Sequence, residues 1–247
     1  METEEEIREV FGQLRNVMKA HKEMGLDPPP VSKEALSYVR TTVSKPLFPR
    51  GEVDYPDSLE ALREFLGNCE RCKLHKSRHK IVFGEGSPRA RLVFVGEGPG
   101  REEDLAGRPF IGEAGALLTK IIENGMGLTR KDVYICNVVK CRPPGNRDPE
   151  RDEIEACLPF LRQQIRIIKP EVLCTLGRIS TQELLGKGIK ITKERGKWHS
   201  FMGIPLMPTY HPAFIVRNPS RERELKGEVW QDVKKIMGRL GLGGTKK

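Results

Sequence analysis

From Ser58 onward, short apolar runs alternate with longer stretches in which apolar residues recur every three or four positions. The first pattern marks buried strands and the second marks helices with one apolar stripe. Residues 91–95, 133–139, 171–176 and 205–210 read as strands, and residues 58–66, 112–124, 149–169 and 221–240 as helices. Ser58 supplies a hydroxyl cap for the first helix, and Asp148-Pro149 places a proline at the start of the third. In the last, Leu225, Val229, Val233, Ile236 and Met237 fall on one side. Strands separated by helices predict an α/β fold whose mostly parallel sheet is covered on both faces.

The N-terminal part has a different texture. Ile7, Val10, Phe11, Leu14, Val17 and Met18 keep helical spacing behind an acidic start, which predicts an amphipathic helix that packs on the main body or binds a protein partner. Residues 27–56 carry scattered prolines and no sustained period, as expected of a weakly ordered linker. The expected organisation is a helix plus linker over 1–56, a principal domain over 57–240 and a disordered tail over 241–247. No apolar run approaches the roughly 20 residues needed to span a bilayer, and no basic, apolar leader opens the chain. A soluble, monomeric, cytoplasmic protein with reduced thiols is expected. Its 43 Lys and Arg against 34 Asp and Glu give a net charge of +9, which favours an anionic partner, nucleic acid foremost.

Four of the six cysteines form a pattern: Cys69 and Cys72 are spaced C-x2-C, and Cys141 and Cys157 follow. Four thiolates suit zinc or a [4Fe–4S] cluster, and spacing does not choose between them. Cys136 and Cys174 lie in strand runs and read as small buried apolar residues. Gly96-Glu97-Gly98-Pro99-Gly100 ends the first strand, the position at which α/β folds hold ligands. Arg101 excludes a dinucleotide fingerprint, and no Gly-Lys-Ser/Thr ending makes it a phosphate loop. Such a turn presents backbone N–H groups and a carboxylate, or is simply a turn. Glu102, Glu103 and Asp104 read as an acidic helix start with one carboxylate facing a pocket, and Phe110 as a ring for base stacking or core packing. His211 opens a proline-bounded loop in which Phe214, Ile215, Val216 and Arg217 suit a wedge entering a DNA groove, with Arg221 and Arg223 on phosphates. The alternative is a surface loop that turns its apolar residues inward.

Taken in order, the cysteine spacing, residues 96–104, residues 107–115, Asn137-Val138-Val139-Lys140-Cys141-Arg142-Pro143-Pro144 and His211-Pro212-Ala213 closely resemble the family 4 uracil-DNA glycosylases. The match runs from about 58 to 240. The resemblance implies a three-layer α/β/α sandwich and a [4Fe–4S] cluster of structural role on Cys69, Cys72, Cys141 and Cys157. It implies a monofunctional enzyme that flips deoxyuridine out of single- or double-stranded DNA and hydrolyses its N-glycosidic bond, initiating base excision repair without strand nicking. Phe110 would stack on the base, Asn137 would pair with N3–H and O4, His211 would hydrogen-bond O2, and backbone around Gly96, Glu97 and Gly98 would hold the ring. Where better-known uracil glycosylases have an aspartate, this chain has Gly98, so a strong general base is missing from that position. Glu97 or Glu103 would then orient water or stabilise positive charge, and Glu103 has a second possible role in excluding the thymine methyl. A non-catalytic iron–sulfur module that binds uracil or DNA beside a polymerase is the alternative, motivated by the N-terminal helix. Some relatives bind covalently through a histidine in a basic insertion, but residues 140–144 run on with no such histidine.

Overall fold

The chain of elements in the computed structural model, which describes residues 54–186 and 188–242, begins with α1 (Leu59–Leu66), β1 (Glu85–Gly86), β2 (Leu92–Gly96), α2 (Arg101–Ala106) and α3 (Glu113–Lys120). It continues through β3 (Tyr134–Asn137), α4 (Arg151–Ile168), β4 (Val172–Leu176), α5 (Arg178–Leu185), α6 (Ile191–Glu194), β5 (His199–Phe201), β6 (Ile204–Thr209), α7 (Pro212–Val216) and α8 (Glu222–Arg239). The expected N-terminal helix and linker span 1–56, of which residues 1–53 lie outside the described part, as do residues 243–247 of the tail expected over 241–247. Gly241 and Leu242 close a turn in which the Leu242 N–H donates to Met237 O at 2.8 Å.

β2, β3 and β4 are buried along their whole length because parallel strands between helical layers meet apolar surface on both faces. The six strands run in the order β1-β3-β2-β4-β6-β5, parallel throughout the centre and antiparallel at both edges. Alternate residues of β2 point to opposite sides. Val93 and Val95 join Leu62, Phe160, Leu161 and Ile165 from α1 and α4, whereas Leu92 and Phe94 join Leu118, Ile215, Val233 and Ile236 from α3, α7 and α8. The result is the expected three-layer α/β/α sandwich. Cys136 and Cys174 are fully buried on their strands, as apolar residues would be.

Several boundaries differ from the sequence pattern for local reasons. Ser58 caps α1 as expected, its Oγ accepting from Ala61 N at 3.1 Å. Pro149, by contrast, precedes α4: the helix is capped at Glu150, whose N–H donates to the Glu153 carboxylate at 2.7 Å. The run 133–139 is a strand only to Asn137, after which Val138 and Val139 donate to Gly96 O and Glu97 O. The edge strands β1 and β5 were not legible because they are two and three residues long. Residues 212–216 form the helical turn α7 rather than a loop, with proline at its first position.

The end of β6 is fixed to α8 by a buried pair. Asp232 accepts from Arg195 Nη2 at 2.7 Å and from Thr209 Oγ1 at 2.7 Å, while the Arg195 guanidinium lies 5.3 Å from the Tyr210 ring centroid. Asp232→Ala leaves Arg195 and Thr209 without their partner, and equilibrium denaturation should show a loss of about 3 kcal/mol, the scale for breaking a buried ion pair.

Candidate active site

The carboxyl ends of β2, β3, β4 and β6 open into a cleft of about 600 Å³. Its lining includes Glu97, Gly98, Phe110, Asn137, Tyr210 and His211. Residues that sequence reasoning placed in separate motifs therefore meet at one point, the usual ligand position for this architecture.

Two close approaches shape the floor. A Cβ on Gly96 would stand 2.5 Å from Phe110 Cζ and closer still to Asn137 Oδ1, so neither side chain could keep its place beside any larger residue. A Cβ on Gly115 would overlap the Phe110 carbonyl. Phe110 itself adopts a left-handed backbone, φ +51°, a conformation that a bulky residue keeps only when its surroundings enforce it. Arg130 supplies much of that enforcement, donating to Pro109 O at 2.7 Å and Phe110 O at 3.0 Å while pairing with Glu85. Phe110 is at once core and wall: it is 5% exposed, packs with the α3–α8 layer and borders the cleft.

Asn137 is 1% exposed, and its Oδ1 is buried with no hydrogen-bond partner. A buried acceptor left unpaired costs about 1–3 kcal/mol, so an atom of this kind facing a cleft points to a ligand donor. His211 also lines the cleft, its ring 5.4 Å from that of Phe110 and inclined by 30°. Its Nδ1 accepts from Ala213 N at 3.0 Å, closing α7. That bond requires an unprotonated Nδ1, and burial, with help from the Arg217 charge, pushes the imidazole pKa down to about 4. His211 is therefore neutral at physiological pH, with Nε2 carrying the proton and free to donate.

The carboxylates divide by environment. Burial, then the charge of Asp148, pushes Glu97 up to about 7, against the opposing pull of Arg178 and Arg217. Glu103 is used differently: it accepts from Gly100 N at 3.1 Å, Ile111 N at 2.9 Å and Gly112 N at 3.0 Å. Those bonds bind α2 to the Phe110 turn and the start of α3, so the Glu103 carboxylate serves the architecture of the wall and has little capacity left to activate water. Asp104, the buried acid of the run, accepts from His79 N at 2.8 Å.

The residues expected to form a wedge divide by exposure. Helical periodicity turns Ile215 into the core at 1% exposure, while Phe214, at 39%, and Arg217 face outward on one side of α7. Val216 is half-buried. Phe214 and Arg217 line the cleft mouth together with Arg147 and Arg178, two arginines that sequence reasoning missed. Arg147 lies just past the motif that ends at Pro144, and Arg178 opens α5 far from any motif.

The four cysteines share a neighbourhood on the α1–α4 side of the sheet. Cys141 and Cys157 are buried in its core, and Cys69 and Cys72 pack against that core half-exposed. None is in a disulfide. Burial raises the Cys141 thiol to about 11 and the Cys157 thiol to about 12, and neighbouring cysteines add to both. Guanidinium groups reach two of the sulfurs, Arg71 Nη1 at 3.3 Å from Cys69 Sγ and Arg78 Nη1 at 3.5 Å from Cys141 Sγ. Among the described residues, no group of three His, Cys, Asp or Glu side chains is arranged to hold a metal ion. No helix among them is long and apolar enough to cross a membrane.

An α/β/α sandwich with this cleft at its strand ends has counterparts of known class. The profile of the Uracil DNA glycosylase superfamily matches residues 83–234. A Type-4 uracil-DNA glycosylase of Sulfurisphaera tokodaii is 50% identical over 188 residues, covering 73% of this chain and 84% of the relative. The corresponding enzyme of Saccharolobus solfataricus is 45% identical over 73% of this chain and 85% of its own length. That of Thermotoga maritima is 47% identical over 72% and 92%. The chain belongs to the uracil DNA glycosylase superfamily, among its type-4 members.

Gly96→Ala tests the floor of the cleft. Displacing Asn137 and Phe110 by a fraction of an ångström to an ångström should lower uracil excision about 100-fold, measured as release of base from a uracil-containing oligonucleotide, while the protein remains folded by circular dichroism.

Proposed function

We propose that this uracil-DNA glycosylase flips deoxyuridine from DNA into the cleft, hydrolyses its N-glycosidic bond and so initiates base excision repair in the cytoplasm. The unpaired Oδ1 of Asn137 carries the reading. Placed between Gly96 and the cleft, it would accept from uracil N3–H while Nδ2 donates to O4. Cytosine presents the reverse pattern there and would leave two polar contacts unmade, at about 1–3 kcal/mol each. A uracil opposite guanine is already mismatched, which lowers the energy needed to extrude it.

In the reaction the C1′–N1 bond breaks with its electron pair passing to the base, and water oxygen bonds to C1′. His211 supports the departing anion: its neutral imidazole donates from Nε2 towards uracil O2, where negative charge grows only as the bond breaks. Phe110 supplies the stacking face. Glu97 is the carboxylate with capacity to spare, and its ionised form would stabilise the positively charged sugar and take the water proton. Among the described residues no lysine lines the cleft, as expected for hydrolysis to an abasic site without strand nicking. The alternative reading, a binding module without turnover, gains no support from a histidine so well poised to donate.

The four cysteines fit a [4Fe–4S] cluster by the chemistry of their donor set: four unbridged thiols in one neighbourhood, two of them contacted by arginines. Such a cluster, when bound, supplies covalent cross-linking of distant segments rather than reactivity at the base. It would tie the segment after α1 to the turn that follows Asn137 and to α4. Raised thiol pKa values mean that loading releases protons.

Three outcomes are expected. Asn137→Asp and His211→Ala should each reduce uracil release by about 100- to 1,000-fold, the scale for losing one preorganised polar contact to developing charge. Stable DNA binding with no base release by the native chain would instead favour the binding module. For pH dependence, Glu97 is protonated below about 7 and charged above it, so kcat should rise through that pH and the rise should be absent in Glu97→Gln. His211, with its pKa near 4, should contribute no loss between pH 8 and 5. Cys157→Ala should abolish the visible sulfur-to-iron absorbance and lower the thermal midpoint.

A further inference from the structure

Asn137 is held from behind by a residue that faces away from the cleft. Lys140, 1% exposed, folds back over the turn that follows β3. Its Nζ donates to the main-chain carbonyl of Asn137 at 2.7 Å and to Gln164 Oε1 at 2.6 Å. Gln164, fully buried on α4, donates in turn to Phe83 O at 2.8 Å and to Tyr134 Oη at 3.1 Å. The ammonium pairs with no carboxylate among the described residues, so both of its mapped contacts are neutral oxygens. Burying a lysine head group is expensive, and an apolar residue would fill the same space more cheaply. What the lysine adds is direction.

The main chain of the turn is tied at its other positions, and Val82 N donates to Lys140 O at 2.8 Å. Val138 N and Val139 N are joined to Gly96 O and Glu97 O, which fixes the chain after Asn137 against β2. The Asn137 carbonyl is where that chain leaves the strand ladder, and Lys140 fastens it to α4. With the carbonyl fixed and Oδ1 pressed against Gly96, the carboxamide has one orientation towards the cleft. We infer that Lys140, anchored by Gln164, is a positioning residue that aims the Asn137 carboxamide at the base. The inference rests on the reading of Asn137 given above.

A double-mutant cycle separates aim from mere stability. Lys140→Met and Asn137→Ala are made singly and together, loaded protein is confirmed by its visible absorbance, and single-turnover uracil release and affinity for an abasic-site duplex are measured. On the native background Lys140→Met should slow release by about 10- to 100-fold, as expected for a misaimed contact, with duplex affinity unchanged. On the Asn137→Ala background the same change should slow it by about 2-fold at most, because there is no carboxamide left to aim. Equal losses on both backgrounds, or no loss on the native one, would overturn the inference. If Asn137→Ala alone leaves release unchanged, the base-reading role of Asn137 fails first, and this inference falls with it. Should Lys140→Met fail to accumulate as loaded protein, the cycle is run with Gln164→Met, which removes the anchor from the α4 side and is judged by the same two outcomes.

Discussion

The missing side chain at Gly96 is the constraint on which the cleft depends. β2 and β3 run parallel with Gly96 beside Asn137, and only a bare Cα lets the Asn137 amide and the Phe110 ring approach the strand end together. Around that contact the fold arranges its supports. Arg130 and Glu103 hold the Phe110 turn, Asp232 and Arg195 brace the end of β6 before His211, and Lys140 secures the carbonyl of Asn137. Preorganisation of this kind lets a few neutral donors act on charge that appears only in the transition state.

Electrostatics divides the labour among groups that look alike on paper. Two glutamates lie near the cleft. Glu103 is consumed by three backbone N–H groups, while Glu97 is left without such partners and driven up towards neutral pH by burial. The histidine is driven the other way, so that it donates without carrying charge. In the proposed reaction a neutral donor opposite the leaving anion would hold it less tightly than an imidazolium, which would favour release of the base. The basic excess of the chain then acts at longer range, drawing DNA to the mouth where Phe214 and Arg217 are exposed.

Much of this was legible in the sequence, for identifiable reasons. Continuous apolar runs such as Leu92–Gly96 announce strands buried on both faces, and Ser58 announces a helix start. The glycine turn was placed at a ligand site because it ends such a run. What escaped depends on partners far along the chain or on periodicity within a short segment. Glu103 reads as part of an acidic helix start beside a pocket, and its bonds to Ile111 and Gly112 appear only when those residues are folded against it. Ile215 reads as part of a wedge until five residues are seen to be helical, and Lys140 meets Gln164 only when α4 packs against the turn. β1 and β5 are too short to have a period at all.

The central claim is that Asn137 Oδ1 is the acceptor that identifies the base. A crystal structure of the protein with free uracil tests it directly. The ring should lie against Phe110 with N3 within about 3 Å of Asn137 Oδ1, the distance of an ordinary hydrogen bond, and with O2 towards His211 Nε2. A uracil bound in the cleft with N3 turned to solvent, and Asn137 Oδ1 satisfied by another protein group, would contradict the account.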